Sequence, residues 1–229
     1  MSIKNLNQEF NWLKRISLQF ISETDFNRIE KSSVKMIFKK GETILKQGGI
    51  STHIVYLEKG IVKFNYENEV GKKLILTVVS ASKILGGANL FYKDNNLFSI
   101  IAVEDCEVIL IDANVLLNVM KVNANFSIML FQIASGMFKN SIQNFISLAY
   151  KQKEGRIADI ILYLASEVYL NNSFHLSLTR KELAEFAGCS AENVIMTLSK
   201  WHNEKIIRLE GKHIEVLDIQ KLQLISKIG

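Results

Sequence analysis

The chain has 229 residues, of which 48% are hydrophobic and 22% charged, so it can bury a sizeable core and is not intrinsically disordered. Its formal charge of +5 permits nucleic-acid binding, although residues 149–229 contribute only +1 of it, from 11 basic and 10 acidic side chains. Two distant cysteines exclude a disulfide framework and a cysteine-only metal site. No apolar run approaches the roughly 20 residues of a membrane span, and no secretory segment is visible, so the expected location is the cytoplasm.

The first half of the chain changes from a helical to a strand-like pattern. Residues 4–31 have apolar side chains at intervals of three and four, which predicts short helices. From about residue 34, short β-branched and aromatic runs alternate with glycine turns, from "VKMIF" through "HIVYLEKG" to "CEVILID". Strands at this spacing predict an antiparallel, jelly-roll-like β-roll. The chain has no proline, so its turns depend on glycine and asparagine for positive φ.

From residue 124 to 149 the apolar period is helical, and two stripes run along one predicted helix. The first stripe consists of Phe126, Leu130, Ile133 and Met137. The second, overlapping stripe consists of Phe131, Ala134, Phe138, Ile142, Phe145 and Ala149. A helix with two apolar stripes needs two partners. The first stripe is either buried in a single core or meets its copy in a parallel dimer, and the residues alone favour neither.

The polar, glycine-ended segment "YKQKEG" follows this helix and predicts a hinge. An apolar helix comes next, followed by the segment "TRKELAEFAGCSAENVIMTLSKW", which contains several signals for the start and end of helices. In this segment Thr179 and Glu182 form a capping box, which begins one helix. Gly188 permits a left-handed corner, and Ser190 is the N-cap of a second helix. Two alternating strands around residues 210–212 then form a hairpin. Two capped helices, a glycine corner and a hairpin are typical of a winged helix-turn-helix.

These segments together resemble the Crp/Fnr superfamily of transcription regulators over nearly the whole chain. The C-terminal likeness runs from "EGRIADIILYLA" through "LTRKELAEFAGCSAENV" to "IIRLEGKHIEVLD". Nearer the N-terminus, "FKKGETILKQG" and "VYLEKGIVKF" resemble corners of the cyclic-nucleotide-binding β-roll. The resemblance implies an α+β fold with a β-roll in residues 1–123, a long dimerisation helix in 124–149 and a winged helix-turn-helix in 150–229. It also implies a homodimer through the first stripe, and RNA polymerase as a partner.

The sequence departs from the family pattern in the helix that would contact DNA. Well-known relatives begin that helix with an Arg-Glu pair and place a second arginine one turn on, whereas the corresponding positions here are Ala191, Glu192 and Met196. Bidentate arginine–guanine contacts are therefore excluded there. Glu192 could accept a hydrogen bond from a cytosine amino group, and Met196 could contact a thymine methyl or pack between helices. The predicted DNA-binding residues are Thr179, Arg180, Ser190, Ala191, Glu192, Asn193, Met196, Lys200 and Lys212.

The β-roll resemblance implies an effector pocket, but its residues do not suit cAMP. Gly87 stands where cyclic-nucleotide binders have a glutamate, and residues 96–98 stand where they have an arginine pair. No arginine lies between Arg28 and Arg156, and a lysine does not replace the bidentate guanidinium. The effector is unidentified, and no cofactor or metal is predicted. The candidate pocket residues are Gly86, Gly87, Ala88, Asn89, Leu90, Leu97, Phe98 and Ser99.

The sequence bears on three classes of function. The leading expectation is a homodimeric, sequence-specific regulator that binds an inverted repeat in double-stranded DNA. The alternative is a small-molecule sensor or protein-interaction module whose helix-turn-helix has lost DNA affinity, which Ala191, Met196 and the near-neutral C-terminal charge favour. An enzyme is not expected, because the sequence offers no paired carboxylates, nucleophile–base constellation, metal-ligand spacing or phosphate loop.

Overall fold

The computed structural model describes residues 11–86 and 95–229, which form two compact units. One unit comprises residues up to Ile61 together with Ala81–Phe138, and the other comprises Val62–Ser80 together with Lys139–Gly229. The units thus divide the chain differently from the sequence-based boundaries, because a segment of the predicted roll clusters with the C-terminal region. The predicted α+β class, with antiparallel sheets, a long helix and a helix-turn-helix, is confirmed.

The elements are numbered in chain order. The helices are α1 (Asn11–Ser17), α2 (Glu23–Lys31), α3 (Ala113–Val122), α4 (Ala124–Tyr150), α5 (Lys153–Tyr163), α6 (Arg180–Ala187), α7 (Ala191–Asn203) and α8 (Ile219–Ile228), with a π-helical turn at Leu164–Val168. The strands are β1 (Ser33–Phe38), β2 (Thr43–Leu45), β3 (His53–Lys59), β4 (Ile61–Glu67), β5 (Lys73–Ser80), β6 (Lys83–Leu85), β7 (Ser99–Ala102), β8 (Cys106–Asp112), β9 (Ser173–His175), β10 (Ile207–Glu210) and β11 (His213–Val216). No helix in the described ranges is long and apolar enough to cross a membrane.

The main sheet of the first unit has the strand order β1-β8-β3-β6, with neighbouring strands antiparallel. One of its two inner strands, β3, is buried on both faces, since Ile54 and Tyr56 are buried on one face and Val55 and Leu57 on the other. On the first of these faces, Tyr56 pairs with Ile109 in register, and helices α1 to α4 cover both residues. Burial on two faces explains why these strands have continuous apolar runs.

Two helices were not predicted from the sequence. Helix α3 begins after Asp112, whose side chain accepts a hydrogen bond from the amide of Val115 at 3.0 Å. Helix α8 begins after Asp218, which caps the amide of Lys221 in the same way at 2.9 Å. An aspartate directly before an apolar period is an N-cap signal that could have revealed both helices.

The first apolar stripe of the long helix faces the core of its own chain. Phe126 is 1% exposed and belongs to the core cluster, and Leu130 and Ile133 pack against that cluster. Phe126 therefore leaves almost no surface for a second chain, and Leu130 and Ile133 are half-buried against their own core, so a dimer interface at these residues stays a prediction. The physical reason for this burial is that helices α1 to α3 leave apolar surface beside the sheet, which this face of α4 covers. Met137 is half-buried.

Another line of side chains on α4, here called the exposed stripe, is open to solvent and shares Phe131, Phe138, Ile142, Phe145 and Ala149 with the second predicted stripe. Its members are spaced alternately by three and four residues, the heptad period of a coiled coil. Phe131, Phe138 and Phe145, separated by seven residues, are each at least 67% exposed. The complete exposed stripe is Ile128, Phe131, Ser135, Phe138, Ile142, Phe145 and Ala149.

Candidate nucleic-acid interface

The first helix of the helix-turn-helix, α6, begins with the predicted capping box. The Thr179 hydroxyl accepts a hydrogen bond from the amide of Glu182 at 3.1 Å, and the Glu182 carboxylate accepts one from the amide of Thr179 at 2.7 Å. The two bonds satisfy amides that the first helical turn would otherwise leave unpaired. Leu183 and Ala187 are fully buried on the inner face of α6.

The corner between the two helices requires glycine. Gly188 has φ 59° and ψ 42°, the left-handed conformation predicted from the sequence, and its amide bonds to the carbonyl of Ala184. A Cβ atom built on Gly188 would lie 2.8 Å from the Leu148 side chain and 3.6 Å from the guanidinium of Arg156. Both backbone conformation and close packing therefore select glycine at this position.

Replacement of Gly188 with alanine is expected to destabilise the C-terminal unit by about 2–3 kcal/mol, because left-handed backbone costs an L-residue about 1–2 kcal/mol and the Leu148 side chain must move. Gly211 is a matched control, since its φ is also 59° but no atom lies within 4 Å of an added Cβ. Gly211→Ala should cost only about 1 kcal/mol. Urea unfolding followed by the fluorescence of buried Trp201, in a Trp12→Phe background, measures both changes. An equal decrease in the free energy of unfolding for Gly188→Ala and Gly211→Ala would show that close packing at Gly188 is unimportant.

The second helix, α7, is oriented by its buried face. Ser190 is the N-cap, and its hydroxyl accepts a hydrogen bond from the amide of Asn193 at 3.3 Å. Val194, Leu198 and Trp201 have no exposed surface. The opposite face of the helix must therefore point outward.

The outward face of α7 carries one carboxylate and two large apolar side chains. Glu192 is exposed, Met196 is 69% exposed and Ile195 is 50% exposed. Packing between helices is thus excluded for Met196, which the sequence had left open. Ile195 and the exposed Ser199 were missed as surface candidates, although both follow Glu192 at helical spacing of three and seven residues.

The carboxylate of Glu192 is stabilised in its ionised form. Its pKa is lowered first by a hydrogen bond from its own backbone amide and then by the Ser190 hydroxyl, at the N-terminal end of α7. The group is therefore an acceptor at neutral pH. A cytosine amino group is the base-edge donor that suits such an acceptor.

Two of the basic side chains predicted to bind DNA have partners within the chain. Arg180 donates to the carbonyl of Gly211 at the tip of the hairpin, at 2.7 Å. Lys200 pairs with Glu154 at 3.1 Å. Lys153, which was not predicted, donates to the side-chain carbonyl of Asn193 at 3.0 Å. Exposed pairs of this kind hold side chains only weakly.

The hairpin, or wing, consists of β10 and β11, and β9 pairs with β11 to complete a three-stranded sheet. Ile207 pairs with Val216 and Glu210 with His213, which places the turn at residues 211–212 as the sequence predicted. Arg208 and Glu215 form an ion pair across the two strands. Lys212 is exposed at the tip, in a position to reach a phosphate.

Strands β4 and β5 belong to the same unit as the helix-turn-helix and contact its helices directly. Lys63 on β4 donates to the Glu182 carboxylate at 2.7 Å, with both side chains largely buried. Burial alone would raise the pKa of Glu182, but Lys63 and Thr179 together lower it. Tyr163 donates to the carbonyl of Val78 on β5 at 2.7 Å. No sequence signal marked these contacts, which join residues about a hundred positions apart.

The candidate effector-pocket residues are only partly within the described ranges. Gly87, Ala88, Asn89 and Leu90 lie outside the described residues. Gly86 has a positive φ of 76°, Leu97 is 71% exposed and Phe98 is half-buried. Ser99 accepts a hydrogen bond from the amide of Gln47 at 2.9 Å. Among residues 11–86 and 95–229, no three His, Cys, Asp or Glu side chains are grouped to hold a metal ion.

Comparisons with known proteins identify both halves of this arrangement. The family model of the cyclic nucleotide-binding domain matches residues 35–123, and that of the Crp-like helix-turn-helix domain matches residues 155–225. The chain thus combines a cyclic-nucleotide-binding-type domain with a DNA-binding domain.

Relatives with this combination are transcription regulators. The cAMP-activated global transcriptional regulator CRP of Pasteurella multocida is 30% identical over 179 residues, which cover 76% of this chain and 85% of that protein. FixK2 from Bradyrhizobium japonicum has the same fold, with a TM-score of 0.79 at 17% identity over 85% of this chain and 97% of that one. The c-di-GMP-responsive regulator CLP of Xanthomonas campestris has a similar fold, with a TM-score of 0.70 at 19% identity. The match covers 85% of this chain and 99% of that one. The chain belongs to the Crp/Fnr family of DNA-binding transcription regulators.

Proposed function

We propose that this protein acts as a homodimer, binds an inverted repeat in double-stranded DNA through α7, and is not controlled by cAMP. The observation that carries the proposal is the outward face of α7, where a capped N-terminus presents ionised Glu192 beside Ile195 and Met196. RNA polymerase is the proposed second partner, since control of transcription requires the bound dimer to help or hinder that enzyme.

The exposed stripe on α4 supports the homodimer. Phe131, Phe138 and Phe145 are large apolar side chains on one line of a 27-residue helix, and such a line is unfavourable in water. A second copy of the same helix can cover it in a parallel coiled coil. Two recognition helices would then enter successive major grooves about one helical turn apart, which requires a palindromic site.

Selection of bound sequences from a random pool of double-stranded DNA tests the function. The expected result is enrichment of an inverted repeat whose half-sites are about 10 base pairs apart, centre to centre, and richer in A·T than arginine-dependent relatives would select. A pool without enrichment would instead favour the sensor or interaction module. The pairing of Lys200 with Glu154 and of Lys153 with Asn193 is consistent with that second candidate.

The residues that stand in the place of the cyclic-phosphate cassette support the proposed lack of cAMP control. Asn96 is buried, its side chain donates to the carbonyl of Lys46 at 3.1 Å, and its backbone pairs with Gly48 and Gly49. Leu97, the next candidate for the missing arginine pair, is 71% exposed and carries no charge. A buried phosphodiester needs a compensating cation, which these positions do not offer. CRP of Pasteurella multocida is cAMP-activated and the structurally similar CLP of Xanthomonas campestris is c-di-GMP-responsive, so this fold alone does not select the effector.

Calorimetric titration with cAMP and cGMP at millimolar concentration is expected to give only heats of dilution, equal to those of a GTP control. Saturable heat with a dissociation constant below about 10 μM, a binding free energy of roughly −7 kcal/mol, would contradict the proposal. Loss of that signal in an Asn96→Ala variant would then locate the site in the cassette.

A further inference from the structure

The centre of the outward face of α7 is apolar. Ile195 is 50% exposed and Met196 is 69% exposed, with exposed Glu192 one turn before them and exposed Ser199 one turn after. The opposite face of the helix, with Val194, Leu198 and Trp201, is the one that lies in the buried core of this unit. Ile195 and Met196 therefore do not serve the core, and they occupy the place where a recognition helix contacts base edges.

An aliphatic or thioether side chain can match only one feature of the major groove. Neither side chain donates a hydrogen bond, so neither can pair with the guanine or adenine acceptors or hold a phosphate. The C5-methyl group of thymine is the apolar group that base pairs present in this groove. Lys200 on α7 pairs with Glu154, and Lys153 contacts Asn193 of the same helix. Ile195 and Met196 thus form an exposed apolar surface beside Glu192 that offers neither a charge nor a hydrogen-bond donor.

We infer that Ile195 and Met196 are specificity-determining residues that contact thymine methyl groups. The preferred ligand is therefore A·T-rich duplex DNA, and replacement of its thymines by uracil lowers the binding affinity. The inference rests on the proposed function of α7. It extends that function by naming the chemical group that is read and a residue, Ile195, that the sequence did not suggest.

The test uses the full chain and the duplex most enriched by selection, synthesised once with thymine and once with uracil. Wild type should bind the uracil duplex about fourfold more weakly for each methyl contacted, which corresponds to about 0.8 kcal/mol, and about 15-fold more weakly with one such methyl in each half-site. The double variant Ile195→Ala, Met196→Ala should bind both duplexes equally. Alanine favours helix, so α7 should stay folded in this variant.

A matched control removes exposed apolar side chains elsewhere in the same unit. Leu224 and Ile228 on α8 are 54% and 76% exposed, and their double alanine variant should keep the full preference for thymine. Equal binding of both duplexes by wild type, with a clear preference over scrambled DNA, would overturn methyl reading and leave the proposed function standing. A preference for thymine that persists in the Ile195, Met196 double variant would overturn the assignment to these residues. Absence of any sequence preference in wild type would remove the proposed function and this inference together.

Discussion

Replacement of Phe138 and Phe145 with glutamate is expected to convert a dimer into monomers. Both side chains are 67% exposed in the single chain, so their substitution leaves the core of the chain unchanged. Burying a phenylalanine contributes about 1.5–3 kcal/mol, and a parallel dimer would bury two from each chain. Because a third of each side chain is already covered in the single chain, the dimer loses at least about 4 kcal/mol of binding free energy, which raises its dissociation constant roughly 10³-fold or more. Sedimentation equilibrium from nanomolar to micromolar concentration measures it.

The control for this experiment carries the same added charge on another exposed apolar surface. Leu224→Glu together with Ile228→Glu on α8 should leave the dimer intact. Affinity for the inverted repeat should fall only in the Phe138, Phe145 variant, because each monomer then binds a single half-site. A wild-type chain that sediments as a monomer at micromolar concentration would contradict the proposed dimer.

The long helix α4 shows which part of the fold could not be predicted from the sequence. The sequence correctly predicted one long helix with two apolar faces, because helical periodicity is a local property. Which face covers the core depends on surface supplied by α1 to α3, and α3 itself was missed. Phe126 and Phe131 are chemically identical, yet one is 1% exposed and the other 72%. That difference comes from tertiary packing, which no period in the sequence encodes.

The candidate DNA-reading site was predicted more completely, because its framework consists of local signals. Thr179, Gly188 and Ser190 each act within a few residues of their own position, as two N-caps and a left-handed corner. The partners of the long basic side chains could not be predicted in this way. Lys63 reaches Glu182 and Arg180 reaches Gly211 only after strands distant in sequence have packed against the helices.

Removal of the Glu192 carboxylate is expected to have the second large effect. Glu192→Ala should weaken binding to the selected site by between about 5-fold and 150-fold for each half-site, because a hydrogen bond to one base is lost from each recognition helix. Binding to scrambled DNA should be unchanged or tighter, since a negative charge near the phosphates is removed. Fluorescence anisotropy on selected and scrambled duplexes at fixed salt measures both.

The Glu192→Gln variant separates base reading from a role in helix capping. Its carbonyl oxygen can still accept the bonds from the Glu192 backbone amide and the Ser190 hydroxyl that the carboxylate accepts now. Glutamine, however, pairs with adenine rather than accepting from cytosine. Selection with this variant should therefore change the preferred base at one position of each half-site and leave the others as in wild type. Identical motifs from wild type and both variants would show that Glu192 contacts no base, and would assign its carboxylate to stabilising the N-terminus of α7.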